Sequence, residues 1–185
     1  MDYNKTFSAG DINGGIVNVV VEVPLGTIEK YEWNRRNLRM EIDRLEPTNM
    51  PEPVNYGFIP QTIGGDGDAL DVFIISSASI PTGTVIPAKI IGIMKFNDEG
   101  ISDDKIVAVL EDSQYKDLAD IPESVIKKIT NYFSHYKDES GSNQTQVGEW
   151  LGVMDARRAI SESAERWESK TKWSLNNRLV SIISM

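Results

Sequence analysis

From Ile16 to Leu110 the sequence is a succession of short β-type runs cut by turns, and helical periodicity begins only after Asp120. Residues 16–23 (IVNVVVEV) are mostly β-branched and stop at Pro24. Residues 30–33 (KYEW) and 38–42 (LRMEI) alternate on either side of a turn-prone stretch, the pattern of a hairpin. Residues 72–75, 84–96 and 105–110 are further apolar runs, the first two joined by Gly- and Pro-containing turns. About six such strands ahead of any helix predict an α+β chain, mainly β, built on a small closed or partly closed barrel. Two helices follow. In the first, Val125, Ile126, Ile129, Tyr132, Phe133 and Tyr136 fall at three- and four-residue spacings, with Asp120 as candidate cap and Pro122 and Glu123 in the first turn. The second runs from about Val153 to Trp167, with Ala156, Ile160 and Ala164 on its apolar side. Residues 137–148 read as a polar loop between them.

Bulk properties narrow the chemistry. At 185 residues the chain suits one domain, 1–185. A formal charge of −9 disfavours nucleic acid and anionic membranes as partners. With no cysteine and one histidine, thiolate metal sites, disulfides and a Ser-His-Asp centre are not expected. No apolar run approaches the roughly 20 residues that span a bilayer. The polar stretch at residues 1–12 lacks a signal peptide's apolar segment, so the expectation is a soluble, cytoplasmic protein.

Residues 64–75 (GGDGDALDVFII) concentrate the chemistry: Asp66, Asp68 and Asp71 stand on a glycine-rich turn that feeds an apolar strand. In extended backbone Asp66 and Asp68 share a face about 6.6 Å apart. Three anions so close repel one another, and a hard cation with oxygen ligands, Mg²⁺ or Ca²⁺, suits them. An EF-hand loop counted from Asp66 fails, because its fifth, sixth and twelfth positions are Leu70, Asp71 and Ser77. A calcium-binding nonapeptide repeat fails at Ala69 and has no second copy. The plain alternative is a solvated acidic turn.

Elsewhere, strand ends and loop edges offer two further sets of groups. One is acidic: Glu22, Glu32, Asp98 and Asp103. The other is cationic and phenolic: Lys30, Arg44, Lys105, Lys137, Tyr56 and Tyr136. Gathered on one barrel mouth, they would hold metal ions that bridge a multiply charged anion. Left apart, they are solvated charges. The proline-rich segment 46–60, which contains Tyr56, is long enough for a functional loop. His135 reads as a packing or capping residue, and Trp33, Trp150 and Trp167 as core or interface anchors.

These motifs resemble those of the soluble family I inorganic pyrophosphatases. Residues 66–72 (DGDALDV) match the family's D-G-D-P-x-D-V signature, and residues 21–24 (VEVP), 30–32 (KYE), 43–44 (DR), 55–58 (NYGF), 98–105 (DEGISDDK) and 135–138 (HYKD) accompany it in order. The resemblance covers about 16–168 and leaves 170–185 as a C-terminal extension. It implies an OB-like five-stranded β-barrel flanked by two C-terminal helices. It also implies hydrolysis of pyrophosphate to two phosphates, several Mg²⁺ ions per active site, and a homohexamer. Asp66, Asp71 and Asp103 resemble ligands of one Mg²⁺, with Asp71 bridging to another; Asp98 and Glu32 resemble ligands of further ions, and Glu22 a carboxylate beside them. Asp68 resembles the general base, Tyr56 a hydroxyl near the nucleophile, and Lys30, Arg44, Lys105, Tyr136 and Lys137 the phosphate-binding set. Three departures stand out: Ala69 replaces the usual proline, Gln146 lies near a lysine common in relatives, and the tail is long. Residues 179–183 (LVSII) in that tail suit either a subunit interface or an extra edge strand. The alternatives to pyrophosphate are a related phosphohydrolase acting on nucleotides or polyphosphate, and a non-enzymatic barrel that binds single-stranded nucleic acid.

Overall fold

The computed structural model describes residues 1–47, 49–137 and 145–183, with side chains through residue 173. A single helical turn, α1 (Tyr3–Thr6), and a two-residue strand, β1 (Gly10–Asp11), lead into β2 (Ile16–Val23). The expected hairpin is β3 (Glu29–Asn34) with β4 (Arg39–Leu45), which pair only with each other. Then come β5 (Asn55–Phe58), β6 (Asp71–Ile75), β7 (Val85–Asp98), the two-residue β8 (Ile101–Ser102) and β9 (Lys105–Leu110). A 3₁₀ turn (Leu118–Asp120) precedes α2 (Glu123–His135), and β10 (Thr145–Gly152) runs directly into α3 (Val153–Ile183).

Strand pairing closes a ring. β2 pairs with β5, β5 with β6, β6 with β9, β9 with β7, and β7 returns to β2 through Ile16↔Lys89 to Val20↔Val85. That is the five-stranded barrel expected from the run of short β-segments. All of these pairings are antiparallel except β6–β9, which is parallel and places Asp71 opposite Lys105. Both strands therefore begin at the same end of the ring, and their first residues are charged.

Strands of this ring are buried on both faces, which is why they read as continuous apolar runs. On one face Val17, Val19, Val72, Ile74, Ile106 and Ala108 pack with Ala156 and Ile160 of α3. On the other, Phe73, Val107, Val109, Met94 and Phe96 pack with Ile129, Tyr132 and Phe133 of α2. The helical residues in both groups lie on the apolar stripes that spacing predicts. A third, smaller group joins α1 and the hairpin to the barrel through Tyr3, Trp33, Val20 and Phe58, with Trp33 and Phe58 stacked at 5.5 Å.

Four expectations need correction. Asp120 does not cap α2; its carboxylate accepts from the Lys116 and Asp117 amides, closing the preceding 3₁₀ turn, and Pro122 caps α2 without a side-chain bond. The loop expected over 137–148 contains the start of β10, whose Thr145, Gln146 and Val147 pair with Asp98, Asn97 and Phe96. Residues 138–144, including Asp138 of the HYKD motif, lie outside the described residues. The second helix does not stop near Trp167 but continues to Ile183, so the tail is helical and not an edge strand. The side chains of 179–183, and with them the interface expected there, also lie outside the described residues.

Candidate active site

Parallel pairing of β6 with β9 sets the centre of the site. Lys105, 2% exposed, extends its ammonium 2.5 Å from Asp71 Oδ2 and 2.6 Å from Asp103 Oδ1. Burial alone would lower the Lys105 pKa, but the two carboxylates beside it win and hold it above the ordinary lysine value. Asp71 Oδ2 also accepts from the Tyr56 hydroxyl of β5. Burial first, then Asp71 and Asp103, push the Tyr56 phenol well above its usual range, so it stays a donor. The Lys105 ammonium lies 5.8 Å from the Tyr56 ring centroid and 5.4 Å from that of Phe96.

The acidic loop is folded onto this centre. Asp66 Oδ1 accepts from the Asp68 amide, and the Gly64 amide donates to the Asp68 carbonyl. At Gly65 a Cβ would stand 2.4 Å from the Ser102 carbonyl oxygen, so only glycine lets the loop lie against the residue preceding Asp103. Burial and then the neighbouring Asp71 and Asp68 push Asp66 up. Burial followed by Asp71 takes Asp103 up to about 7. Asp68 lies on the solvent side of the cavity, its side chain 80% exposed, with Arg35 Nη2 3.7 Å from Oδ1.

Two carboxylates enter from other elements. Glu22, near the end of β2, is buried and accepts from the Trp33 amide at 2.7 Å; burial, with Asp71 and Glu32 adding, takes it up to about 8. Asp98, the last residue of β7, is held through Oδ2 by Lys137 at 2.5 Å, while its Oδ1 is buried without a hydrogen-bond partner among the described residues. The hairpin contributes Lys30 and Arg44 as opposed residues, with Lys30 2.9 Å from Glu32 and Arg44 2.8 Å from both Asp43 and Glu46. Arg44 lies 5.6 Å from the centroid of Tyr136, whose phenol is pushed up by burial and then by Asp98.

All of these groups line one cavity of about 370 Å³: the carboxylates at 22, 32, 66, 68, 71, 98 and 103, and the cations and tyrosines at 30, 44, 56, 105, 136 and 137. The structure thus brings together every candidate residue read from the sequence. His135 stays outside, exposed and bonded to the Asn131 carbonyl. The cavity also contains groups that sequence reasoning missed, among them Arg35, Glu46, Glu52 and Tyr132. Glu46 and Glu52 are buried, and Tyr132 hydrogen-bonds to Glu52. Their signal in the sequence was only membership of the proline-rich segment and of the apolar stripe of α2.

Asp66, Asp71 and Asp103 do not form a ready-made cage. Among the described residues no three His, Asp or Glu side chains stand together as a cation site, and the Lys105 ammonium lies between Asp71 and Asp103. The donor set nevertheless suits a hard cation. It is all oxygen, three of its carboxyls are pushed up by burial and mutual repulsion, and Asp98 Oδ1 has no hydrogen-bond partner among the described residues.

Known proteins place this arrangement. The family model described as inorganic pyrophosphatase matches residues 19–168. An inorganic pyrophosphatase of Neisseria meningitidis serogroup A is 45% identical over 174 residues, covering 91% of this chain and 98% of that protein. The crystal structure of an inorganic pyrophosphatase from Neisseria gonorrhoeae matches with a TM-score of 0.87 at 45% identity, over 90% of this chain and 99% of that one. That of the Thermus thermophilus inorganic pyrophosphatase matches with a TM-score of 0.83 at 29% identity, over 88% and 97%. The match runs from within β2 to the middle of α3, through every loop that supplies the cavity, and the chain belongs to the inorganic pyrophosphatase family, metal-dependent enzymes that hydrolyse pyrophosphate.

Proposed function

We propose that this cavity hydrolyses inorganic pyrophosphate to two phosphates, with water as nucleophile and Asp68 as general base. The observation that carries the reading is the meeting, in one small cavity, of nine carboxylates with five cations and three phenols. A carboxylate-only pocket would repel pyrophosphate, and a cation-only pocket would bind it without recruiting metal. Mg²⁺ ions, several per site, would be held by Asp66, Asp71 and Asp103, with Asp98, Glu32 and Glu22 completing the set. When bound, such ions lower the pKa of water towards neutrality and offset phosphate charge.

The chain's own residues do the rest. Asp68, which lines the cavity, accepts the water proton as the new P–O bond forms. The P–O bond to the bridging oxygen breaks, and the departing phosphate carries its charge towards Lys30, Arg44, Lys105, Tyr136 and Lys137. Tyr56, kept protonated by burial, donates to Asp71 and holds that carboxylate in one orientation. Arg44 is fixed from behind by Glu46 and Asp43, so less side-chain entropy is lost when it meets phosphate.

The decisive experiment is phosphate release from pyrophosphate with Mg²⁺ and with a chelator. Two phosphates per pyrophosphate, abolished by chelation, is the expected result. No release at millimolar Mg²⁺ would reject the reading, and faster release from ATP than from pyrophosphate would reassign the substrate. A homohexamer and a cytoplasmic location belong to the same proposal. Sedimentation velocity checks the first. Subcellular fractionation checks the second.

A further inference from the structure

The acidic loop has little stiffness of its own. Gly67 sits at φ +93° with open space around it, and the loop's internal bonds, Gly64 to Asp68 and Asp68 to Asp66, leave its position on the barrel undetermined. Its position is set at the stem. On one side the Leu70 amide donates to Thr62 Oγ1 at 2.9 Å. On the other, both backbone groups of Ile63 are taken by α3. The Ile63 amide donates to the Ser163 carbonyl at 3.0 Å, and Arg166 Nε donates to the Ile63 carbonyl at 2.8 Å. The guanidinium is itself fixed, because Arg166 Nη2 donates to Ser163 Oγ at 2.8 Å, and that hydroxyl donates to the Ala159 carbonyl at 2.8 Å. Ile63 and Ser163 are buried, whereas Arg166 is exposed and reaches them through bonds that are part-buried.

We infer that Arg166, through Ile63, is a positioning residue: α3 clamps the acidic loop so that Asp66 and Asp68 are presented to the cavity in a fixed relation to Asp103. Arg166 does not line the catalytic cavity; it lies in a separate groove beside Asp155, Arg158 and Glu162, so any effect on the reaction passes through the loop. The close approach of Gly65 to the Ser102 carbonyl converts a shift of the stem into a change between Asp66 and Asp103. This inference rests on the proposed metal-dependent hydrolysis and adds a residue to which that reading gives no role.

The test uses the full chain with Arg166→Gln, Arg166→Lys and, as a groove control, Arg158→Gln. Two readouts are followed against Mg²⁺: melting temperature without substrate, and pyrophosphate hydrolysis. For Arg166→Gln the Mg²⁺ concentration giving half the thermal shift, and half-maximal activity, should rise about tenfold, as outer-shell changes at metal sites do. The rate at saturating Mg²⁺ should recover to within about threefold of wild type, because the ion, once bound by Asp66, draws the loop and Asp68 back into place. Arg166→Lys should recover part of the shift, since an ammonium can still donate to one carbonyl. Arg158→Gln should titrate like wild type. A titration of Arg166→Gln that superimposes on wild type overturns the inference, as does an equal shift in Arg158→Gln or a lowered melting temperature with an unchanged Mg²⁺ midpoint. A wild-type chain that neither hydrolyses pyrophosphate nor responds to Mg²⁺ overturns the underlying functional reading instead, so the two failures are separable.

Discussion

Replacing Lys105 by methionine tests the electrostatic design of the site without emptying its volume. The ammonium is 2% exposed and serves two carboxylates at 2.5 and 2.6 Å, each with about a fifth of its side chain exposed. Methionine keeps an unbranched chain of similar length and removes only the charge and donors. Removing one partner of a buried ion pair costs about 3–5 kcal/mol, and the partial exposure of the carboxylates argues for the lower end, about 3 kcal/mol. For a chain of this size each kcal/mol moves the melting temperature by roughly 2–4 °C, so a fall of about 6–12 °C is expected in chelator at pH 8. At pH 5.5 the deficit should shrink. Asp103, at about 7 with Lys105 present, is pushed higher still without it, so in acid a proton takes over the ammonium's work. Saturating Mg²⁺ should stabilise the variant more than wild type, because the unpaired carboxylates then meet a cation that wild type already has in part. Differential scanning calorimetry in chelator and in Mg²⁺, at both pH values, reads all three effects. A variant melting within about 1 °C of wild type in chelator at pH 8 would show that Lys105 is not the counterion of Asp71 and Asp103, and the account of the metal-free site would fail.

Asp68→Asn should keep the Mg²⁺-dependent rise in melting temperature yet lose about 10²–10⁴-fold in turnover, since it removes the proton acceptor and little else; near-normal phosphate release would reject Asp68 as base. Burial, reinforced by Glu46 and opposed by the Tyr132 hydrogen bond, takes Glu52 from 4.5 up to about 8. The folded state therefore holds a proton that the unfolded chain releases, and this contribution, at most about 5 kcal/mol, is complete below about pH 4.5 and lost as pH rises through about 8. Glu52→Gln should flatten the fall in urea midpoint between pH 5 and 9, and parallel curves for the two proteins would contradict it. Among the described residues nothing accepts from the Ala69 amide, so Ala69→Pro should restrict the unfolded chain without breaking a bond. That is worth about 0.4–1 kcal/mol, a rise of about 1–4 °C with turnover unchanged, and a lower melting temperature would mean the backbone at 69 cannot take a proline φ.

Local chemistry in this chain was readable wherever a residue's neighbours in sequence are also its neighbours in space. The hairpin of β3 and β4, the strand after the acidic turn, and the stripe of Ile129, Tyr132 and Phe133 all follow from periodicity of two or 3.6, and the cavity groups were recognisable by motif. What escaped was settled by distant partners. Residues 145–150 (TQVGEW) carry a glycine and are largely exposed, with little apolar signal of a strand. They form β10 because the edge of β7 offers them hydrogen bonds. Glu46 and Glu52 look like solvated loop acids. Yet the Glu46 amide bonds Ile28, and Glu52 exchanges backbone bonds with Gly26 and Thr27, which fixes the segment beside Arg44 and Lys30 and buries both side chains. Helix α3 outran its apolar stripe: residues 168–173 remain helical although exposed, so local backbone hydrogen bonding carries the helix past Trp167 there. The parallel register of β6 and β9 is the clearest case. Asp103 is two residues from Lys105 in sequence, but no local pattern specifies that Asp71 should stand beside it, and only closure of the ring brings the ammonium to that carboxylate, 34 residues away. The residue types of the site are thus a local property, whereas its balance of charge belongs to the barrel, and a substitution that preserved every motif residue but slipped β9 by one position would turn Lys105 to the opposite face and dismantle the site.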